Sequence, residues 1–396
     1  MTENSIPAWL ETDIDSLREE LFAFRHDLHQ YPELSGKEIR TAGKIRDVLR
    51  ADDIPFREVR STGTLGRIEG ANPGPVILLR ADIDALPVEE KSRAPFPSRN
   101  SGCAHACGHD IHTAALLGAA RILQKHRDSL YGTIRLIFQQ AEEFGHGSQY
   151  FLPEADVMEG AQRIYGFHVT PEAPLGSVIL TRGVNAASCD HMLIRLYGKN
   201  THIARPHLGQ NALLAAADIA LHLEKIRNEL DPLQSALIGV GRLESGNTWN
   251  VIPGYAELEG TIRTLSMDTR DALIREVSAL AEKTASLYGV RAETEIQLHN
   301  PCLVNDDNAY ENMRRAAVAA VAKTGKVLDR PVPLGFAGDD FGAYSQIIPG
   351  CMAHVGTAVE GEDDTSLPLH NDRYYIHDEA ILTGVRLLVL AALQPL

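Results

Sequence analysis

Three short apolar runs, each closing on acidic or imidazole side chains, limit this chain's fold more than any other feature. They are "PVILLRADIDALP" (75–87), "TIRLIFQQAEE" (133–143) and "RIYGFHVTP" (163–171). A continuous apolar run without alternation suits a strand covered on both faces, which is the condition of a parallel sheet. A helical segment, "HTAALLGAARILQKH" (112–126), separates the first two runs. Strand, helix, strand in that order reads as α/β. Asp82 and Asp84, then Glu142 and Glu143, then His168 fall where the runs end. Open parallel sheets place their ligands outside the carboxyl ends of the strands.

From about residue 187 the pattern changes. "YAELEGTIRT" sets Ala256, Leu258 and Ile262 against Glu257, Glu259 and Arg263. "RAETEIQLHN" sets Ala292, Thr294, Ile296 and Leu298 against Glu293, Glu295, Gln297 and His299. Strict alternation predicts an antiparallel sheet with one solvated face. Two amphipathic helices accompany it, "NALLAAADIALHLEKI" and one with Leu273, Val277, Leu280, Ala281, Thr284 and Leu287 on one side. After residue 301 the chain returns to α/β character. The predicted architecture is therefore α/β. A larger domain (1–186 and 301–396) has a mostly parallel sheet flanked by helices. A smaller inserted α+β domain (187–300) has an antiparallel sheet.

Composition narrows the function. A net charge of −15 disfavours nucleic acid, which needs a basic footprint. The longest apolar tract, "ILTGVRLLVLAALQPL", contains Arg386 and is short for a bilayer span, so it reads as a terminal core helix. "MTENSIPAWLETD" has no export-signal pattern. Five cysteines, an odd number, argue against a disulfide framework and for a reducing, cytoplasmic setting.

"CAHACGHDIHTAALLGAA" (103–120) carries the chemistry. Cys107 and His109, two apart on a loop, suit a borderline metal such as zinc, cobalt or nickel. A buried cysteine beside helix-capping histidines is the competing reading. The C-x3-C spacing of Cys103 and Cys107 is not that of a redox pair. Glu142 and Glu143 leave a strand side by side, so one can bind metal while the other faces water, the division that metal-assisted hydrolysis needs. A solvated acidic pair is the alternative. His370 lies in "LPLHNDRYY", before the last helix.

With these residues assembled, the chain resembles the aminoacylase/carboxypeptidase-type di-metal amidohydrolase family. Its nearest branch holds N-acyl-amino acid amidohydrolases, hippurate hydrolases and auxin-conjugate hydrolases. "FRHDLHQYPELSGKE", "GPVILLRADIDALP", "HACGHDIHTAALLGAA", "QQAEE", "YGFHVTPEAPLGSV", "WNVIPGYAELEGTIRT", "DDFGAYSQIIPG" and "LHNDRYYIHDEAI" carry the resemblance in order. It implies two divalent metals (zinc, manganese, cobalt or nickel) on Cys107, His109, Glu143, His168 and His370, with Cys107 bridging. Glu142 would be general base and acid, and Asp84 would orient the metal-site groups.

In the inserted lid and dimerisation domain, His202 would polarise the scissile carbonyl across a homodimer interface. It follows Thr201 where relatives have glycine. Asn250 and Arg263 would hold the substrate's carboxylate. Gly338-Asp339-Asp340-Phe341 departs from the family's Gly-Ser-Glu-Asp-Phe. The activity implied is hydrolysis of N-acyl amino acids. The alternatives are a dipeptidase or carboxypeptidase, an N-acetyl-diaminopimelate deacetylase, and an inactive metal- or ligand-binding protein. Cys103, His105 and His112 are expected to support the loop or cap the helix rather than bind metal.

Overall fold

The computed structural model describes residues 6–229 and 235–394. Met1–Ser5, part of the stretch read as lacking an export signal, lie outside the described residues. Two compact units emerge. One takes the chain up to Asn185, then Val304–Val332 and everything from Ala343 on; the other comprises Ala186–Leu303 and Pro333–Gly342. Residues 333–342, which the sequence pattern places in the larger domain, thus cluster with the inserted unit.

The first unit is built on an eight-stranded sheet. Its order is Phe56–Val59, Gly63–Glu69, Tyr131–Gln139, Asn72–Asp82, Ala161–Pro174, Gly350–Ala358, Val178–Thr181, Val327–Arg330. The four central strands, 131–139, 72–82, 161–174 and 350–358, run parallel. Those four include all three of the apolar runs. Antiparallel neighbours join at 63–69 and 178–181. The core joins Ile77, Leu79, Leu136, Phe138, Tyr165 and Phe167 from the sheet with Leu116, Leu117, Leu387 and Leu388 from helices. Glu379–Ala392 is apolar nearly all round and buried, as its composition requires. Within it Arg386 meets Glu11 through two 2.8 Å hydrogen bonds. Among the described residues no helix is long and apolar enough to cross a membrane.

The second unit has a four-stranded antiparallel sheet, in the order Ala236–Ser245, Tyr255–Thr264, Ser188–Tyr197, Arg291–Asn300. Helices Ala212–Glu229 and Met267–Leu287 share its core. Two expected core positions are exposed. In 291–300 the pairing stays in step through Leu298, next to a register shift before Asn300, and Leu298 is exposed. At the end of its helix Leu287 faces solvent, and Ala285 takes the buried position.

Candidate metal centre

The first unit gathers Cys107, His109, Glu142, Glu143, His168 and His370 at one place. Donor atoms of Cys107, His109 and His168 lie within 4.8 Å of one another, as do those of Cys107, Glu143 and His370, and of His109, Glu142 and Glu143. Cys107, His109 and Glu143 each belong to two of these triads.

His109 is not on a loop, as its sequence context suggested, but opens the helix His109–Lys125. Gly108, immediately before it, has φ of +85°. A Cβ there would lie 2.5 Å from Val169 Cγ2 and 2.9 Å from Ile376 Cδ1. Only glycine adopts this turn without strain or collision, so Cys107 and the first helical residue can share one small volume. His168 lies mid-strand rather than at a strand end, because Ala161–Pro174 runs on past it. Asp84 lies two residues beyond its strand, which ends at Asp82. His370 is reached through a left-handed backbone, φ +67°, with its N–H donating to Ala106 O at 2.9 Å.

Hydrogen bonds commit the buried His109 and the half-buried His168 each to one orientation. His109 Nδ1 faces the Asp84 carbonyl at 2.9 Å and Asp84 Oδ1 at 3.2 Å. A carbonyl only accepts, so Nδ1 carries a proton and Nε2 is the nitrogen turned to the cluster. His168 Nδ1 likewise donates to Val169 O at 2.7 Å, leaving Nε2 3.3 Å from Cys107 Sγ. His109 Nε2 and Glu143 Oε1 are buried and have no hydrogen-bond partner among the described residues. Buried polar atoms without a hydrogen-bond partner are costly unless another group meets them.

Spacing gives a further test of fit. Ligands around one tetrahedral ion at ~2.0–2.3 Å stand about 3.3–3.8 Å apart. Cys107 Sγ to His168 Nε2 is 3.3 Å, His370 Nε2 to Glu143 Oε1 is 3.5 Å, and His109 Nε2 to Glu143 Oε1 is 3.8 Å. The donor set of thiol, imidazoles and carboxylate therefore fits divalent first-row metals.

Charge in the site is tuned by burial. Desolvation pushes the Cys107 thiol well above its ordinary range, and the Glu143 charge adds to it. A cation held at Sγ is what converts such a thiol to thiolate. Burial, with His112 and His109 nearby, holds His168 well below the usual imidazole range, so it is neutral, the ligand form. Burial alone would lower His109 as well, but Asp82, Cys107 and Asp84 raise it. A metal ion competes for that proton.

The residues expected to support the loop lie around this cluster. His112 bridges Asp82 Oδ1 (2.6 Å) and the Val169 N–H (3.0 Å), so both its nitrogens are used in holding the strand that carries His168. Asp82 also receives Arg80 Nη1 at 2.6 Å. Cys103 Sγ points at Pro32 O, and burial, reinforced by Glu33, pushes its thiol to about 11, so it stays protonated. His105 is buried, with its imidazole lowered to about 4 chiefly by desolvation. Asp339, in the second unit, accepts from Phe341 N at 2.8 Å.

Sequence reasoning missed the layer behind His109, where Asp110 binds buried Arg25 (3.0 Å) and His29 (2.8 Å). The available signal was Arg25 sharing a helix face with Leu21 and Leu28, where an apolar residue belongs.

His202, Asn250 and Arg263 belong to the second unit. His202 is exposed on Thr201–His202 and pairs with Val251, which puts Asn250 beside Ile203; Asn250 O accepts from Ile203 N at 3.0 Å. Arg263 is half-buried and donates to Phe336 O at 2.8 Å.

A parallel-centred α/β unit with paired carboxylates beside a cysteine–histidine cluster defines a metal-dependent hydrolase. The model of Peptidase family M20/M25/M40 matches residues 78–394. An N-acetyl-L-cysteine deacetylase of Bacillus subtilis (strain 168) is 38% identical over 384 residues, covering 96% of this chain and 88% of the relative. An N-acyl-L-amino acid amidohydrolase of Geobacillus stearothermophilus is 32% identical over 314 residues, 79% and 85% of the two chains. Among solved structures, a dinuclear metal-binding M20 peptidase from Bacillus subtilis superposes with a TM-score of 0.81 at 34% identity, covering 96% of this chain and 98% of that one. The chain belongs to Peptidase family M20/M25/M40 and is a hydrolase acting on amide bonds.

Proposed function

We propose that the protein hydrolyses N-acyl amino acids to a carboxylic acid and a free amino acid, using two divalent metals. The observation that carries this reading is the commitment of His109 and His168 through Nδ1, which aims two Nε2 atoms at the cluster where Cys107, Glu143 and His370 meet. Relatives named for N-acetyl-L-cysteine and N-acyl-L-amino acid substrates support the substrate class. Cys107, His109, Glu143, His168 and His370 are the proposed ligands, with Cys107 shared.

Bound divalent cations supply Lewis acidity and bring the pKa of water toward ~7. Glu142, in the triad with His109 and Glu143 but not needed as a ligand, takes the proton of the attacking water on its carboxylate. It then returns that proton to the leaving amine. Asp84 acts through others, binding His109 and the Glu143 N–H (3.1 Å). His202 is assigned to the substrate carbonyl, and Asn250 and Arg263 to its carboxylate, a guanidinium being the planar match for that group. The second unit is assigned the lid and the homodimer contact, and five free thiols suit a reducing cytoplasm.

The test is a panel of N-acetyl amino acids against dipeptides, run on chelated protein reconstituted with zinc, manganese, cobalt or nickel, with metal content measured alongside. Acylated amino acids should be the preferred class, and chelation should abolish turnover. Glu142→Gln should keep its metal and lose at least ~100-fold in kcat. Full activity without metal, or near-normal turnover of Glu142→Gln, overturns the reading. Faster dipeptide cleavage replaces the substrate class.

A further inference from the structure

Glu142 and Glu143 are consecutive, yet both carboxylates reach His109 within 4.8 Å. On a strand, neighbouring side chains point to opposite faces. The chain escapes that constraint because its strand ends at Gln139 and the backbone then turns through Ala141, whose φ is +55°. A non-glycine residue in this left-handed region is strained and persists only where its surroundings over-determine it.

Those surroundings are specific. Gly147 N donates back to Ala141 O at 3.1 Å, and Gly145 N donates to Glu142 O at 2.6 Å. A Cβ on Gly147 would stand 1.9 Å from Gln140 O, so only glycine lets the loop fold back so closely. The remaining tie comes from far away in sequence. Glu38 is fully buried, immediately before the helix Ile39–Ala51, and makes no capping bond to that helix. Its Oε1 instead accepts from Gly36 N (2.7 Å) and from Ala141 N (2.9 Å). With Asp84 Oδ2 accepting from Glu143 N at 3.1 Å, the N–H groups on either side of Glu142 are each held by a buried carboxyl group.

We propose that Glu38 is a positioning residue for hydrolysis: by holding the Ala141 N–H it sustains the left-handed turn through which Glu142 and Glu143 face the same donor cluster. This rests on the roles assigned above to those two glutamates. Glu38 touches neither substrate nor metal and acts only through the backbone between Gln140 and Glu142.

The experiment is a double-mutant cycle on the metal-loaded protein, with kcat, KM, melting temperature and metal retention against a chelator as readouts. Glu38→Met fills the same space without an acceptor; Glu38→Gln keeps one. Ala141→Gly adopts positive φ without help. Glu38→Met should lower kcat about 10–100-fold, the penalty of slight misplacement, and weaken metal retention about tenfold. KM should change less than about threefold. Glu38→Gln should stay within a few-fold of the parent. The Glu38→Met/Ala141→Gly double variant should recover most of the kcat and metal-retention losses, a coupling expected only if the residues act through one turn.

Additive effects in the cycle, a Gln variant as impaired as Met, or parental kcat in Glu38→Met would overturn the proposal. Should Glu38→Met not fold, Glu38→Ser completes the same cycle, and the same outcomes support or overturn the proposal. Failure of the underlying site reading shows separately, as chelation-insensitive turnover or near-parental Glu142→Gln.

Discussion

Replacing Asp84 by asparagine removes no volume, so its effect isolates what the second carboxylate oxygen does. In the folded protein Oδ2 accepts from Ser35 Oγ (2.6 Å) and Glu143 N (3.1 Å), while Oδ1 and the backbone carbonyl accept from His109 Nδ1. An amide offers only one accepting end. If its NH2 faces His109, two donors confront each other; His109 cannot yield by changing tautomer, because the Asp84 carbonyl still requires a proton on Nδ1. If its NH2 faces Glu143, the backbone N–H there loses its acceptor.

Either orientation leaves a buried donor unmatched, at about 1–3 kcal/mol. The loss also loosens one ligand's ring or another's backbone, which in metal sites typically weakens affinity or activity about 10–100-fold. The assay is metal content after timed dialysis against a chelator, with hydrolysis of an N-acetyl amino acid and melting temperature measured on the same samples. We expect metal loss at lower chelator concentration and kcat down about 10–100-fold. Parental metal retention and turnover in a folded Asp84→Asn protein would refute the argument that the Asp84 carboxylate holds the His109 ring and the Glu143 N–H in place.

Two further outcomes follow from the same geometry. Gly108→Ala should destabilise by about 2–4 kcal/mol, from left-handed strain plus collision with Val169 and Ile376, and a lowered melting temperature with earlier metal loss checks it. Burial alone would raise the Glu90 carboxyl, but His29, Ser92 and the Ser98 N–H draw it down to about 2. A depressed carboxylate stabilises fully above its unfolded value near ~4.5 and progressively less as pH falls toward 2, here on the order of 2 kcal/mol. Melting temperature should therefore fall more steeply from about pH 5 to about pH 3 in the parent than in Glu90→Gln; parallel curves would count against this.

Much of the fold could be read from periodicity. The three apolar runs became central parallel strands, and the alternating segments became an antiparallel sheet, because burial on two faces or one writes itself directly into residue order. That logic failed where geometry departs from ideal repeats. Leu298 sits at a register shift, Leu287 at a helix end, and residues 333–342 cluster with the inserted unit through contacts no local pattern records.

The sequence by itself determined the chemical inventory: a thiol, histidines and paired glutamates near the ends of apolar runs, within a chain of net charge −15. Only the tertiary structure decided how that inventory is aimed. The tautomers of His109 and His168 are set by carbonyls of Asp84 and Val169, and the convergence of Glu142 and Glu143 by a left-handed turn tied to Glu38. Such bonds join segments as much as 103 residues apart. Local order carries no trace of them, because hydrogen-bond direction is settled only when distant backbones are packed together.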